Sequence, residues 1–177
     1  LRQSFSAFSC RKNIDVEKFL QEQSVDFTKK NQSVTYIVLN PEEGRIVGYF
    51  TLTIKPISVN GEKFSNTVKR KLSRVSEQDM DNGNYQLSAY LIAQLGKNFH
   101  DGLNEKITGQ QLLGLAVEKI KEQQYMAGGM VVFLETQNEE KLLYFYERQN
   151  GFKRFDTREV KHSAEEPRCL IQLLKVL

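Results

Sequence analysis

The chain has few of the residues that build metal centres and disulfide frameworks. Its 177 residues include two cysteines and two histidines. Cys10 and Cys169 lie near opposite ends, so neither a disulfide scaffold nor a CxxC metal knuckle can be assembled. His100 and His162 are too few for a multi-histidine metal site. Long apolar runs are missing as well: the longest, such as residues 130–134, fall far short of a bilayer span. No basic segment followed by an apolar one marks a secretory signal, so the cytoplasm is the default expectation. Charge of one sign is scarce: 25 basic against 22 acidic residues leave +3. Bulk charge therefore does not announce a nucleic-acid binder, and anion recognition has to be local. Repeats, low-complexity tracts and interdomain linkers are not found. What is there, 40 % hydrophobic and 27 % charged residues, suits a soluble globular protein, and the length suits a single domain over 1–177.

Residues 13–29 carry Val16, Phe19, Leu20 and Phe27 at helical spacing, with Asn13 and Asp15 as candidate N-caps. The β-branched run at 34–39 reads as a buried strand, Asn40-Pro41-Glu42-Glu43-Gly44 as a turn, and 46–54 as a second strand, together an antiparallel hairpin. Residues 58–84 are polar and irregular apart from a short helical pattern of Val68, Leu72 and Val75. A third strand follows at 85–95, then a loop over 96–106. A helix opens near Gly109, with Leu112, Leu113, Ala116, Val117 and Ile120 on one face. Gly128-Gly129 is a breaker before a fourth strand at 130–135. A helix over 139–149 stops at Asn150-Gly151, and short strands at 152–155 and 169–174 close the chain. The pattern predicts an α/β fold with a mixed sheet.

The informative unit is the strand, loop, helix and strand of residues 85–135. The start of its helix, Ile107-Thr108-Gly109-Gln110-Gln111, presents successive backbone N–H groups with no intrahelical partner. Those donors and the positive end of the helix dipole form a natural cradle for a pyrophosphate, and Gly109 lets it approach the backbone. A structural glycine in a tight loop is the plain alternative.

The order of elements, together with Leu91-Ile92-Ala93-Gln94-Leu95, Ile107-Thr108-Gly109-Gln110-Gln111-Leu112-Leu113 and Phe145-Tyr146-Glu147-Arg148-Gln149-Asn150-Gly151-Phe152, resembles the GNAT superfamily of acyl-CoA-dependent N-acetyltransferases. The likeness extends over roughly 8–177. Phe8-Ser9-Cys10, Phe19-Leu20, Lys29-Lys30, Thr35-Tyr36-Ile37-Val38-Leu39 and Val47-Gly48-Tyr49-Phe50-Thr51-Leu52 are similar to the small GNAT-type toxins of bacterial toxin–antitoxin pairs. The resemblance implies a mixed, mostly antiparallel sheet flanked by helices, with a splayed central strand pair. Two departures stand out. The family's loop reads Arg/Gln-x-x-Gly-x-Gly/Ala, whereas this chain has Asn104-x-x-Ile107-x-Gly109. The family also commonly leaves three residues between its tyrosine and the Gly-Phe pair, whereas Tyr146 and Gly151 have four between them. A one-residue insertion near Gln149-Asn150 keeps Tyr146 as the match, with Tyr144 in reserve.

Carried onto this chain, the resemblance implies acetyl-CoA as co-substrate, with Leu95, Gly96, Lys97, Ile107, Thr108, Gly109, Gln110 and Gln111 as its binding residues. The Leu95 N–H would polarise the thioester carbonyl and hold the oxyanion, and the Tyr146 hydroxyl would protonate the departing thiolate. Composition alone would make Tyr146 a core aromatic beside Phe145. No metal is implied.

No persuasive general base is visible; His100 and Glu135 are the nearest candidates. A free α-amine, with a pKa of about 7.7–8.0, needs a base less than a lysine near about 10.4 does. An aminoacyl-tRNA therefore suits the chain better than a protein lysine. Lys69, Arg70, Lys71 and Arg74 could bind an RNA backbone, or form an ordinary solvated basic face. Arg148, Lys153, Arg154 and Arg158 form a looser basic group. The expected partners are acetyl-CoA, aminoacyl-tRNA, an antitoxin protein and a second copy as a homodimer. The alternatives are a GNAT acting on a small amine or protein N-terminus, and a degenerate fold that binds acyl-CoA or a partner without turnover.

Overall fold

The computed structural model describes residues 5–160 and 168–177; His162 lies outside them. Asn13 caps the first helix, its Oδ1 accepting from the amides of Asp15 (3.1 Å) and Val16 (3.4 Å). Helix α1 (Ile14–Lys18) passes through a π-helical turn, Phe19–Gln23, into α2 (Ser24–Lys29). Strands β1 (Val34–Leu39) and β2 (Ile46–Asn60) form the expected antiparallel hairpin, pairing Val34 with Leu52, Tyr36 with Phe50 and Val38 with Gly48. Asn40 closes its turn: the side chain accepts from the Glu42 amide at 2.9 Å, and Gly44 takes a φ of +65°.

The short helix α3 (Asn66–Leu72) precedes β3 (Asn84–Lys97), and a 3₁₀ segment, His100–Glu105, leads to α4 (Gly109–Ala127). Then come β4 (Val131–Gln137), α5 (Glu140–Leu143) with a π-helical turn Tyr144–Gln149, β5 (Lys153–Val160) and β6 (Arg168–Val176). The six strands follow the order β1-β2-β3-β4-β6-β5 in a mostly antiparallel open sheet flanked by helices.

Strand β2 is longer than its sequence pattern suggests. Pro56 and Lys55 interrupt the apolar run, yet Ile57 and Val59 are buried while Lys55, Pro56 and Ser58 are exposed. That is the period-two signature of a strand with one wetted face.

The chain divides into two compact units, Leu1–Thr53 with Ile92–Gln123 and Ile54–Leu91 with Gln124–Leu177, so the long strands β2 and β3 each give one half to each unit. In the first, Phe8, Val16, Phe19 and Leu20 pack on Tyr49, whose hydroxyl donates to the Val16 carbonyl at 2.5 Å. Burial pushes that phenol far above its ordinary range, so it serves as a neutral donor. Gly96 is required by this packing, because a Cβ there would sit 2.4 Å from Val16 Cγ1. Helix α4 buries Leu112, Leu113, Ala116 and Ile120, as expected, whereas Val117 is half-buried. In the second unit, Val59, Leu87, Ala89, Val131, Phe133 and Leu174 form the core, over which α3 anchors its fully buried Leu72. Val75, expected on the same apolar face, is instead 46 % exposed, because α3 ends at Leu72.

Candidate active site

Strand β3 ends in Leu95, Gly96 and Lys97, all expected near a bound thioester. Leu95 is half-buried and Gly96 is packed as described above. Lys97 turns its ammonium onto the following loop, donating to the carbonyls of Asn104 at 2.8 Å and Ile107 at 3.1 Å. Beside it, Asn98 is 2 % exposed: its Oδ1 accepts from the amides of Ser9 and His100, each at 3.0 Å, and its Nδ2 donates to the Ile46 carbonyl at 2.8 Å. These two side chains order the loop that follows β3. A polar Lys-Asn pair after an apolar strand was the only sequence trace of that role.

At the mouth of α4 the backbone donors are partly engaged. Thr108 and Gln111 form a reciprocal capping box, the Thr108 amide and hydroxyl meeting Gln111 Oε1 at 2.8 and 3.0 Å and the Gln111 amide meeting Thr108 Oγ1 at 3.1 Å. The Thr-x-x-Gln spacing is readable in the sequence, where it competes with the anion-cradle reading. Gly109 and Gln110 lie between the two capping residues. Ile107 is 7 % exposed, its carbonyl held by Lys97. Beside this mouth runs a groove of about 650 Å³, lined by Val38, Leu39, Lys106, Ile107, Gly114 and Leu115 among others. Gly114 lines it at an open position, where a Cβ would meet nothing within 4 Å.

In the second unit, the helical segment after β4 carries Tyr146. Tyr146 lies in the π-helical turn Tyr144–Gln149, which holds more residues per turn than an α-helix. Gly151 ends the segment at a φ of +71°. The Tyr146 carbonyl accepts from the Phe152 amide at 3.0 Å, and its ring meets Phe145 and Phe152 edge-on at centroid distances of 5.0 and 5.9 Å. This apolar packing desolvates the phenol and pushes its pKa to about 12. Tyr144 is 59 % exposed.

Neither candidate base is free of other partners. His100 is exposed, its Nε2 3.3 Å from Asp101, which also accepts from Arg45 at 2.8 Å. Glu135 accepts from Arg158 at one carboxylate oxygen and from Gln172 at the other, the latter at 2.8 Å. Of the looser basic group, Arg158 is thus paired, and Arg154 makes a two-point bond to Glu147 at 2.7 and 3.1 Å. Lys69, Arg70, Lys71 and Arg74 differ: among the described residues none of them has an ion-pair partner. Arg70 and Arg74 are exposed and the two lysines half-buried. Among the described residues no group of metal-ligating side chains occurs, and no helix is long and apolar enough to cross a membrane.

This order of strands, with a loop-and-helix crossover after β3 and a tyrosine-bearing helical turn after β4, is the GNAT fold. Among similar solved structures, the AtaT toxin complexed with acetyl-methionyl-tRNAfMet matches at a TM-score of 0.66 and 18 % identity, covering 94 % of this chain and 85 % of that one. A tyrosine-to-phenylalanine mutant of KacT matches at 0.64 and 17 % identity, covering 95 % of this chain and 85 % of that one. A tyrosine-to-phenylalanine mutant of AtaT, bound to acetyl-CoA and the C-terminus of the antitoxin AtaR, matches at 0.59 and 18 % identity, covering 96 % and 82 %. No family model and no curated protein sequence matches the chain.

Proposed function

We propose that this protein is an acetyl-CoA-dependent N-acetyltransferase of the toxin type, and that its acceptor is the α-amine of an aminoacyl-tRNA. The observation that carries the reading is the desolvated, hydroxyl-bearing Tyr146 in the helical turn after β4. The likeness in fold to a toxin complexed with an acetylated aminoacyl-tRNA supports it.

In this reading the amine nitrogen attacks the thioester carbonyl directly, and the Leu95 N–H holds the developing oxyanion. As the carbon–sulfur bond breaks, the sulfur takes the Tyr146 proton, and the phenolate recovers a proton from the nitrogen that has become the amide. The products are the N-acetyl amine and the free thiol. Burial makes Tyr146 a weaker acid than free tyrosine, but keeps it protonated at every working pH. The mouth of α4, ordered by Lys97, takes the diphosphate. Lys69, Arg70, Lys71 and Arg74, which have no ion-pair partner among the described residues, take the tRNA backbone, with affinity falling as salt rises. A protein antitoxin and a cytoplasmic site of action belong to the same reading.

The capping box favours a second reading, a GNAT fold that binds a partner without turnover, because it occupies two of the amides a phosphate would use. Thiol release from acetyl-CoA, followed with charged tRNA, free amino acids and an N-terminal peptide as acceptors at low and high salt, separates the two. Salt-sensitive release with charged tRNA alone is expected. Release with none of the acceptors contradicts the enzyme, and salt-indifferent release confined to free amines removes tRNA as the acceptor.

A further inference from the structure

The groove beside α4 has two walls, both within the first unit. One wall is the end of the β1–β2 hairpin: Val38 and Leu39 of β1, Pro41 and Glu42 of the turn, and Val47 of β2. The other is a stripe of α4, Gln111, Gly114, Leu115 and Glu118, at the i, i+3, i+4, i+7 spacing of one helix face. That stripe lies beside the face carrying Leu112, Leu113, Ala116 and Ile120, which the fold buries. Apolar side chains of the two walls stay wet: Leu115 is 38 % exposed and Leu39 is 53 % exposed. The volume, about 650 Å³, is that of a small-molecule site.

The charged groups of the walls set the chemistry of an occupant. Glu42 stands on the hairpin wall and Glu118 on the helix wall, and neither has an ion-pair partner among the described residues. Lys106, the cation among the lining residues, is already held by Glu43 at 3.4 Å. An anionic ligand would meet two carboxylates with no free cation to receive it. A wholly apolar ligand would take water from those carboxylates and return nothing. A ligand with an apolar body and a cationic head answers both features: the body covers the exposed leucines, and the head bonds to a carboxylate.

We infer that this groove binds an amphiphilic organic cation, a small molecule that joins an alkyl or aryl body to an ammonium or guanidinium head. The inference is independent of the acetyl-transfer reading, since it uses neither Tyr146 nor the backbone amides of the α4 mouth.

The probe is n-octylammonium, titrated into the full chain below its micelle-forming concentration, with n-octanol and octanoate as controls of the same chain length. Methyl NMR follows binding at Leu39 and Leu115, and calorimetry gives the affinities. The ammonium is expected to bind with a dissociation constant of about 1 mM or tighter, the alcohol about fivefold more weakly, and octanoate more weakly still. Shortening the chain to n-hexylammonium is expected to weaken binding about tenfold, because two buried methylenes are lost. Gly114→Leu fills the groove from a position where a Cβ meets nothing within 4 Å, and is expected to abolish binding with circular dichroism unchanged. Glu42→Gln with Glu118→Gln, both exposed, is expected to bring the ammonium and the alcohol to equal affinity. Any of four results overturns the inference: no binding of the ammonium at millimolar concentration, octanoate binding as tightly as the ammonium, NMR shifts confined to residues away from the groove, or an affinity indifferent to Gly114→Leu or to the double glutamine change.

Discussion

The Lys97 ammonium donates to the Ile107 carbonyl at 3.1 Å, so the last side chain of β3 holds the last buried residue before α4. The same ammonium reaches the Asn104 carbonyl at 2.8 Å, and the whole loop between strand and helix is thereby fastened from one point. Hydrogen bonds from a charged donor contribute more than neutral ones because the full charge strengthens the attraction, and losing the donor also leaves the two carbonyls without that partner.

Lys97→Met is therefore expected to lower unfolding stability by about 1.5–3 kcal/mol, read from chemical denaturation. If the mouth of α4 takes the diphosphate, the same variant weakens acetyl-CoA binding by about tenfold in calorimetry. Unchanged affinity with reduced stability would confine Lys97 to a structural role.

Three glycines respond differently to an added methyl group. Gly96→Ala places Cβ 2.4 Å from Val16 Cγ1, a branched side chain already packed on Tyr49, and is expected to cost about 1–3 kcal/mol. Gly48→Ala meets the Gly96 carbonyl at 3.0 Å and the Leu112 methyls at 3.2 Å, and is expected to be destabilising by less. Gly114→Ala meets nothing within 4 Å and gains helix propensity, so stability rises by about 0.5–1 kcal/mol. Thermal denaturation of the three variants checks the order.

Tyr146→Phe is expected to reduce turnover with acetyl-CoA binding largely kept, while Tyr144→Phe, at an exposed position, changes neither. The pH profile carries the sign. With its pKa raised to about 12, the phenol stays protonated through the working range and produces no fall in rate between pH 8 and 10. An α-amine acceptor with a pKa of about 7.7–8.0 becomes nucleophilic as pH rises, so the rate climbs through neutrality and then levels off. A fall above pH 9 with intact protein would show that a group other than Tyr146 supplies the proton.

Arg70 and Arg74 are the exposed cations of the α3 segment. Arg70→Glu with Arg74→Glu is expected to weaken tRNA binding and to flatten its salt dependence by about one unit of log–log slope for each lost phosphate contact. Lys153 substitutions serve as the comparison, being on the outer strand β5.

Much of the fold is legible in the sequence because its signals are local. The β-branched run at 34–39 is a strand, though an outer one whose residues are half-buried or exposed rather than buried as expected, and the Asn-Pro turn and the apolar face of α4 are found as read. What was not legible depends on partners distant in the chain. The outer half of β2 is hidden by Pro56, and only the burial of Ile57 and Val59 under the second unit's core reveals it as strand. The π-helical turn at Tyr144–Gln149 has no propensity signature in the sequence. At the candidate site, the residues around the mouth of α4 were picked out by type, but the capping box and the Lys97 bonds are matters of side-chain direction. Two members of the looser basic group are not free cations, because Glu147 pairs with Arg154 and Glu135, a candidate base by sequence, pairs with Arg158.

The most direct test of the proposed activity locates the transferred group. The protein is mixed with acetyl-CoA and charged tRNA, the RNA is digested with nuclease, and the aminoacyl-adenosine is weighed by mass spectrometry, with Tyr146→Phe in parallel. The expected product is N-acetyl-aminoacyl-adenosine, formed quickly by the native chain and slowly by the variant. An unmodified aminoacyl-adenosine in both, with acetyl-CoA intact, would contradict the assignment.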